Sequence, residues 1–287
     1  MGQASLLKQR LNRVLQAATL ERPDRTPVVL EYSGFAAYVT ETTMSDFLSS
    51  PARSTETMIR AFELIGEGDA VNYGSFSPFG LCRLFGSKVK IPGIDLPDND
   101  MWQVSEKEVM TIEDYNRILE LGWPSYFKEY MEKRILNDVP RERLKKTRKP
   151  VDVKGAWAAH GVPVLTGGDV TTPFELLCGS RSLNRFALDM FDIPDKVEAV
   201  MDVMVPHLAG DGCRRARKLG YPAVWVGGWR AAPSMLSPAM WDRFVWPYFS
   251  RLVKEVVDSG LIALLHLDSS WDRELARFRE LPRGRCI

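Results

Sequence analysis

Short runs of apolar residues alternate along the chain with longer stretches in which apolar residues recur every three or four positions. The short runs predict strands buried on both faces, and the longer stretches predict amphipathic helices. This alternation predicts a parallel α/β fold, with a (β/α)₈ TIM barrel as the first choice and a doubly wound sheet as the second. The predicted strands lie near residues 28–32, 70–73, 163–167, 223–226 and 261–266, and the main helices near residues 6–20, 54–66, 182–191, 193–219 and 238–259.

The connection between the second and third predicted strands, residues 86–150, is much longer than the others. Residues 88–98 contain Pro, Gly and Asp and predict an extended excursion with a small hairpin. Thr111-Ile-Glu-Asp114 predicts a capped helix start. The basic run at residues 141–149 is typical of a solvated helix end. We expect a single barrel domain over residues 1–287 that carries this long insertion.

The last residues, Leu281-Pro-Arg-Gly-Arg-Cys286-Ile287, predict a turn followed by the start of a sixth strand. A closed eight-stranded barrel needs further strands, and an open one exposes strand edges and core. We therefore expect a C-terminally incomplete barrel, truncated at the start of strand six. Such a chain would self-associate, for example as a homodimer.

Composition narrows the function classes. The chain has 287 residues with a formal net charge of +1, so its charge gives no reason to expect nucleic acid or an anionic membrane as a partner. No apolar run approaches the roughly 20 residues that span a bilayer. The cysteines are Cys82, Cys178, Cys213 and Cys286; they are widely scattered and include no CxxC pair, which favours reduced thiols and a cytoplasmic protein.

The segment from Leu261 to Trp271 carries the clearest chemical signal. A buried strand here ends on His266 and Asp268, at the carboxyl end where parallel α/β folds place ligands and catalysis. In extended chain, residues two positions apart share a face, so both side chains can point at one metal ion or one substrate. The alternative is a helix start capped by Asp268 or Ser270, which would leave His266 unexplained.

Other candidates follow the remaining strands, where Gly167-Gly168 and Gly227-Gly228 form neither a dinucleotide fingerprint nor a P-loop. Asp169 either faces the barrel mouth or caps the helix that begins near Pro173. Arg230 is either a clamp for a carboxylate or phosphate or a solvated loop residue. Tyr32 and Trp229, together with Tyr73, either line a pocket for a flat ligand or pack in the core. Asn72 ends the second strand, and we expect it near the histidine.

Three stretches resemble the uroporphyrinogen decarboxylase superfamily: Gly167-Gly168-Asp-Val-Thr-Thr-Pro173-Phe, Leu236-Ser-Pro-Ala-Met-Trp-Asp-Arg-Phe-Val-Trp-Pro247-Tyr-Phe, and Leu265-His266-Leu-Asp268. The resemblance implies a (β/α)₈ barrel. It also implies one of two activities. The superfamily contains decarboxylases of heme synthesis and methyltransferases that pass methyl groups between corrinoid proteins and thiols or other acceptors.

The residues favour the methyltransferase-like branch. After the first strand the decarboxylases carry Arg-Gln-Ala-Gly-Arg, which grips the carboxylates of the substrate, whereas this chain has Glu31-Tyr-Ser-Gly-Phe. The decarboxylases also place an aspartate after the second strand, where this chain has Asn72-Tyr73. We therefore expect a methyltransferase that acts on a small methylated substrate or thiol and a corrinoid protein. The alternatives are a carboxy-lyase acting on a carboxylated pyrrole or tetrapyrrole, and a non-catalytic truncated barrel.

The same resemblance bears on a metal. The methyltransferases bind zinc through His-x-Cys at a strand end and a distant cysteine, and His266-x-Asp268 takes the place of that motif here. Zinc accepts Asp oxygen as a ligand, so the resemblance implies zinc held by His266 and Asp268. In the alternative, Asp268 orients His266 or takes a proton from the substrate.

Overall fold

The computed structural model describes residues 2–66, 68–147 and 149–287, so that Met1, Glu67 and Arg148 lie outside it. The strands of the described residues are β1 (Val29–Leu30), β2 (Ala70–Val71), β3 (Val89–Lys90), β4 (Gln103–Val104), β5 (Thr166–Thr171), β6 (Ala223–Gly228) and β7 (Ile262–Leu267). The α-helices are α1 (Gln3–Ala18), α2 (Gly34–Val39), α3 (Met44–Phe47), α4 (Pro51–Ile65), α5 (Pro78–Phe85), α6 (Ile112–Leu121), α7 (Trp123–Tyr130), α8 (Arg141–Thr147), α9 (Val153–Ala158), α10 (Pro173–Arg181), α11 (Leu183–Asp192), α12 (Pro194–Leu219), α13 (Pro238–Phe244) and α14 (Trp246–Asp258). A π-helical turn at Met131–Ile135 directly follows α7, and 3₁₀ helices lie at Pro233–Met235 and Asp272–Glu280.

The chain separates into two compact units, each made of several stretches of sequence. The first unit consists of Met1–Leu81, Val89–Val104 and Asp138–Thr166, and the second of Cys82–Lys88, Ser105–Asn137 and Gly167–Ile287. The boundaries cut the long insertion, which contributes to both units. The single domain over residues 1–287 stays a prediction.

Parallel pairing builds the sheet of the first unit. Strand β1 pairs with β2 in parallel, with Val29 opposite Ala70. Val71 of β2 forms a parallel bridge with Val164, and the Leu165 and Thr166 N–H groups donate to the carbonyls of Val71 and Asn72. The first three predicted strands are therefore adjacent, and their pairing is parallel as expected.

The excursion between the second and third strands contains the predicted hairpin. Strands β3 and β4 pair antiparallel, with Val89 opposite Val104. The capping box predicted at Thr111 is also present, because the Thr111 N–H donates to Asp114 over 2.8 Å at the start of α6. Sequence patterning therefore located the first strand of the hairpin and the start of α6, whereas the second strand of the hairpin, β4, lies beyond the predicted residues 88–98.

The second unit contains a three-stranded sheet in the order β5-β6-β7. Strands β6 and β7 are parallel and run in register from Ala223 opposite Ile262 to Gly228 opposite Leu267. Cys286 forms a parallel bridge with Ala263, at the position where the start of a sixth strand was predicted. Helix α12 packs against α14, and helix α14 also contacts β7, so an apolar helical layer covers the strands.

The third predicted strand needs a correction. It was expected to end near residue 167, but β5 runs on to Thr171 with Gly167 and Gly168 inside it. A Cβ on Gly168 would lie 2.3 Å from the Gly212 carbonyl oxygen of α12, and a Cβ on Gly167 would lie 2.1 Å from the Tyr221 ring. The two glycines therefore permit close packing and do not end the strand.

No helix in the described part of the chain is both long enough and apolar enough to cross a membrane.

Candidate functional site

His266 and Asp268 meet at the carboxyl end of β7. Their Nε2 and Oδ1 atoms lie 3.1 Å apart, and the two side chains are 30% and 46% exposed. The extended backbone places them on one side, as their spacing predicted. The Trp225 ring of β6 lies 5.1 Å from the imidazole. Gly227 pairs with His266 in the sheet, where a Cβ would lie 2.7 Å from the His266 carbonyl oxygen. The sheet register therefore fixes the position of His266, and Gly227 permits the close approach of the two strands because it has no side chain.

The capping alternative for Asp268 is wrong. The helix that follows is a 3₁₀ helix starting at Asp272, and the hydroxyl of Ser270 accepts from the Asp272 N–H at 3.4 Å. Asp268 contributes its backbone instead, because its carbonyl accepts from the Trp271 indole N–H at 3.0 Å. The carboxylate of Asp268 is therefore directed at the histidine, and Ser270 provides the local capping contact.

Arg230, which follows β6, lies in a buried ion pair. Its Nη1 donates to Glu175 Oε1 over 2.8 Å and its backbone N–H donates to Glu175 Oε2 over 2.7 Å. Its Nη2 donates to Glu106 over 2.9 Å. The Arg230 side chain is only 3% exposed, so the interpretation as a solvated loop residue is wrong. Its role as a substrate clamp stays a prediction, and in this arrangement a substrate would have to replace Glu106.

The charges of this pair follow from its contacts. Burial raises the pKa of the Glu175 carboxyl, whereas Arg230 favours the charged carboxylate. Burial is the largest single influence on Arg230 and opposes its charge, but the Glu175, Cys178 and Glu106 side chains together outweigh it and raise the pKa of the guanidinium. We treat the pair as ionised because N–H groups donate to both carboxylate oxygens.

Sequence reasoning missed Glu175. It stands three residues after Thr172, the N-cap of α10, whose hydroxyl accepts from the Glu175 N–H at 3.2 Å. Threonine followed three positions later by glutamate is typical of a capping box, which would direct the carboxylate back to the N-cap. Here the carboxylate binds Arg230 instead, and a capping interpretation would have concealed that contact.

The ring of Trp229 packs against the guanidinium of Arg230. Its ring stacks on Phe85 with centroids 5.3 Å apart, and the guanidinium carbon of Arg230 lies 4.4 Å from its centroid. Trp229 is 41% exposed, so its outer part is accessible to a ligand. Core packing therefore does not account for it fully, and its predicted contact with substrate stays a prediction.

Asp169 lies inside a strand and not, as the sequence had predicted, after its end. Because β5 extends to Thr171, Asp169 is inside the strand, and its carboxylate forms an ion pair with Arg215 of α12 at 2.9 Å. The capping alternative is also wrong, since Thr172 is the N-cap of α10. Both side chains of the ion pair are about half exposed, at 46% for Asp169 and 49% for Arg215. No contact in the described structure supports a binding role for Asp169.

A polar cluster in the first unit surrounds Asn72. The Asn72 side-chain amide donates to Glu31 over 2.5 Å, and its amide oxygen accepts from the Thr166 hydroxyl at 3.1 Å. Tyr32 is buried and donates to the Met58 carbonyl over 2.7 Å. Burial raises the pKa of Tyr32, so it remains a neutral phenol. These contacts place Asn72 beside an exposed carboxylate and Tyr32 in the core.

A metal would find few ligands in either unit. Among the described residues, no three side chains of His, Cys, Asp or Glu converge as a metal site requires. His266 and Asp268 supply two donors, and their polar atoms already contact each other. Structural zinc takes four protein ligands and catalytic zinc three. The described residues therefore do not fit a zinc site, and zinc stays a prediction.

The comparisons with known proteins agree with these strands and helices. A family model for uroporphyrinogen decarboxylase (URO-D) matches residues 9–282, nearly the whole chain. The chain belongs to the uroporphyrinogen decarboxylase family. The fold of the URO-D family is a TIM barrel, and the parallel strands and alternating helices described above are consistent with it.

A solved structure gives a second comparison for this URO-D family member. It is a methyltransferase from Methanosarcina mazei, 18% identical in sequence, with a TM-score of 0.61. The match covers 92% of this chain and 70% of that chain. At this identity the likeness shows a shared fold and no more. No curated protein matches the chain with significance.

Proposed function

We propose that the chain is a methyltransferase that moves a methyl group between a small methylated substrate and a corrinoid protein. One observation carries the proposal: His266 and Asp268 are 3.1 Å apart and partly exposed at the carboxyl end of β7. A histidine held by a carboxylate at a strand end is a common arrangement for proton transfer. Membership of the URO-D family, which by the resemblance above includes such methyltransferases, supports the same reaction class.

The reaction assigns one task to the pair. For a donor X–CH₃, the bond between X and the methyl carbon breaks and X keeps the electron pair. The carbon bonds to the reduced cobalt of the corrinoid substrate, which supplies the pair for the new bond. The departing X takes a proton from the imidazole of His266, which the carboxylate of Asp268 orients. In the reverse direction, His266 and Asp268 together remove the proton of the acceptor. No step passes through zinc.

Decarboxylation is the weaker candidate. A substrate with several carboxylates needs guanidinium groups to hold it. The segment after β1 supplies Glu31 where the decarboxylases, by the resemblance above, carry arginines. Arg230 is already engaged by two carboxylates. No contact among the described residues favours a carboxylated tetrapyrrole.

Substitution of His266 tests the proposal. With the purified 287-residue chain, a methylated donor and a corrinoid acceptor protein, we expect His266→Ala to slow methyl transfer by about 10²–10⁴-fold, the usual contribution of an acid–base group. Asp268→Asn should slow it less, because the amide can still contact the ring. The rate is followed by the change in the corrinoid absorption spectrum.

A matched control exists in the first unit. His160 also contacts a carboxylate, with Nδ1 2.7 Å from Glu63 Oε1, but it lies at an exposed helix end. His160→Ala should leave the rate unchanged. Thermal melts of all variants separate lost chemistry from lost folding. Wild-type rates in a well-folded His266→Ala variant would refute the assignment, and loss of a bound metal in Asp268→Asn would instead make Asp268 a ligand.

A further inference from the structure

The guanidinium of Arg230 has partners of two kinds. Its inner partner is Glu175 of α10, which accepts hydrogen bonds from Nη1 over 2.8 Å and from the Arg230 backbone N–H over 2.7 Å. The side chains of both residues are buried. Two hydrogen bonds to one buried carboxylate therefore fix the guanidinium from within the protein, before any ligand arrives.

The outer partner of the same guanidinium is an exposed carboxylate. Nη2 of Arg230 donates to Glu106 Oε2 over 2.9 Å, and the Glu106 side chain is 46% exposed. Water competes for a carboxylate that is this accessible, so the outer contact holds the guanidinium less firmly than the buried one. Displacement of Glu106 would open Nη2 to another acceptor and leave the contacts with Glu175 intact.

The backbone does not have to move for this exchange. The segment that carries Glu106 is anchored further along the chain, where the Val109 and Met110 N–H groups both donate to the Ser180 carbonyl over 2.9 Å. Glu106 reaches Arg230 with its side chain, so a change of rotamer is enough to break the contact. The exchange is therefore a local event at one side chain.

An accessible aromatic ring borders the same guanidinium. The centroid of the Trp229 ring lies 4.4 Å from the Arg230 guanidinium carbon, and Trp229 is 41% exposed. Phe85 supports the ring by stacking on it, with centroids 5.3 Å apart. A ligand bound at Nη2 would therefore find an apolar surface already in place beside it.

This combination selects a class of ligand. The acceptor at Nη2 is a carboxylate of Glu106, so the position suits a carboxylate in size and geometry. Exchange of one monoanion for another leaves the net charge of the site unchanged, whereas a phosphate dianion would add a negative charge near Glu175. The Trp229 ring favours an acid with an apolar body over a small hydrophilic one.

We propose that Arg230 and Trp229 bind a small monocarboxylic acid with an apolar body, whose carboxylate displaces Glu106 from Nη2. Glu106 is then an internal competitor that every such ligand must displace. The position follows β6, which pairs with β7, the strand that ends at His266 and Asp268. That this acid is the methylated substrate rests on the proposed function; that it binds does not.

Benzoate and benzamide test the binding, because they share a shape and differ in charge. Titration calorimetry on the 287-residue chain should show that benzoate binds at least about tenfold more tightly, since a charged acceptor makes the stronger hydrogen bond to a guanidinium. Acetate should bind more weakly than benzoate, and Trp229→Leu should weaken benzoate and leave acetate unchanged. Tighter binding of inorganic phosphate than of benzoate would overturn the assignment to a carboxylic acid.

Glu106→Gln tests the displacement. It should tighten benzoate by about tenfold, because a neutral amide competes less well than a carboxylate for Nη2. Glu120→Gln removes the same charge from an exposed position of α6 in the same unit, and it should leave benzoate binding unchanged. Thermal melts show that the variants are folded.

Several results would overturn the inference: no binding of benzoate, equal affinities for benzoate and benzamide, unchanged or weaker benzoate binding in a folded Glu106→Gln variant, or equal tightening in Glu120→Gln. Benzoate binding without methyl transfer from any methylated acid would refute only the proposed function. Methyl transfer by a chain that does not bind benzoate would refute only this inference.

Discussion

Two pairs of charged or ionisable groups lie at the carboxyl ends of neighbouring strands of the second unit, and they differ in burial. The Arg230–Glu175 pair after β6 has side chains that are 3% and 0% exposed. The His266–Asp268 pair after β7 has side chains that are 30% and 46% exposed. Both follow glycine-containing or glycine-paired strand ends, so position in the fold alone does not distinguish them.

Burial assigns the two pairs different roles. In the Arg230–Glu175 pair the carboxylate holds the guanidinium from within the protein, and removing Glu175 would leave the buried guanidinium with the partly exposed Glu106 as its remaining carboxylate partner. In the His266–Asp268 pair the imidazole can meet a substrate while Asp268 holds it. The buried pair therefore stabilises the architecture around the strand ends, and the exposed pair is suited to proton transfer.

The largest expected effect concerns the buried pair. Glu175→Ala should lower the free energy of unfolding by about 3–5 kcal/mol, because it leaves the Arg230 charge buried beside a cavity. Urea denaturation followed by circular dichroism measures the change. The double variant Glu175→Leu/Arg230→Met replaces the ion pair with apolar groups of similar volume and should recover much of the loss. A change below about 1 kcal/mol in Glu175→Ala would show that the two pairs do not differ as burial implies.

A smaller effect is expected at Gly228. A Cβ there would lie 2.9 Å from Glu175 Oε2, and the φ of Gly228 is 156°. Gly228→Ala should lower the free energy of unfolding by roughly 1–3 kcal/mol, the usual cost of an extra carbon in a packed site. Urea denaturation again provides the measurement, and Gly80→Ala, where nothing lies within 4 Å of the new Cβ, is the control. If the two variants are equally stable, Glu175 can move aside and the buried pair is looser than its contacts indicate.

The hydrophobic pattern predicted most strands because each is a short apolar run bounded by polar residues. Strands β6 and β7 begin within a residue or so of their predicted starts, at Ala223 and Ile262. The same-face placement of His266 and Asp268 was predictable too, since it depends only on the two-residue period of extended chain.

Other features were not predictable because they depend on which backbone packs against which. Gly167 and Gly168 look like the end of a strand, and only the approach of Gly212 and Tyr221 explains why they lie inside β5. Because β5 extends beyond its predicted end, the position predicted for Asp169 after the strand is wrong. The partner of Arg230 was hidden for a similar reason, because Glu175 is separated from it by 55 residues along the chain and local sequence favours a cap.

The smallest effect is expected for an exposed pair, Asp169 and Arg215, which completes the comparison. The two atoms are 2.9 Å apart, as close as the atoms of the buried pair, yet both side chains are about half exposed. Water screens such pairs, so a double-mutant cycle with Asp169→Ala and Arg215→Ala should give a coupling energy of about 0.2–1 kcal/mol. The coupling should fall further in high salt, whereas the effect of Glu175→Ala should not.

If Asp169→Ala cost as much as Glu175→Ala, distance rather than burial would set the energy of these pairs, and the structural role assigned to Arg230 would lose its basis. Salt-insensitive coupling at Asp169 would point the same way, because a pair that is accessible to solvent must feel the added ions.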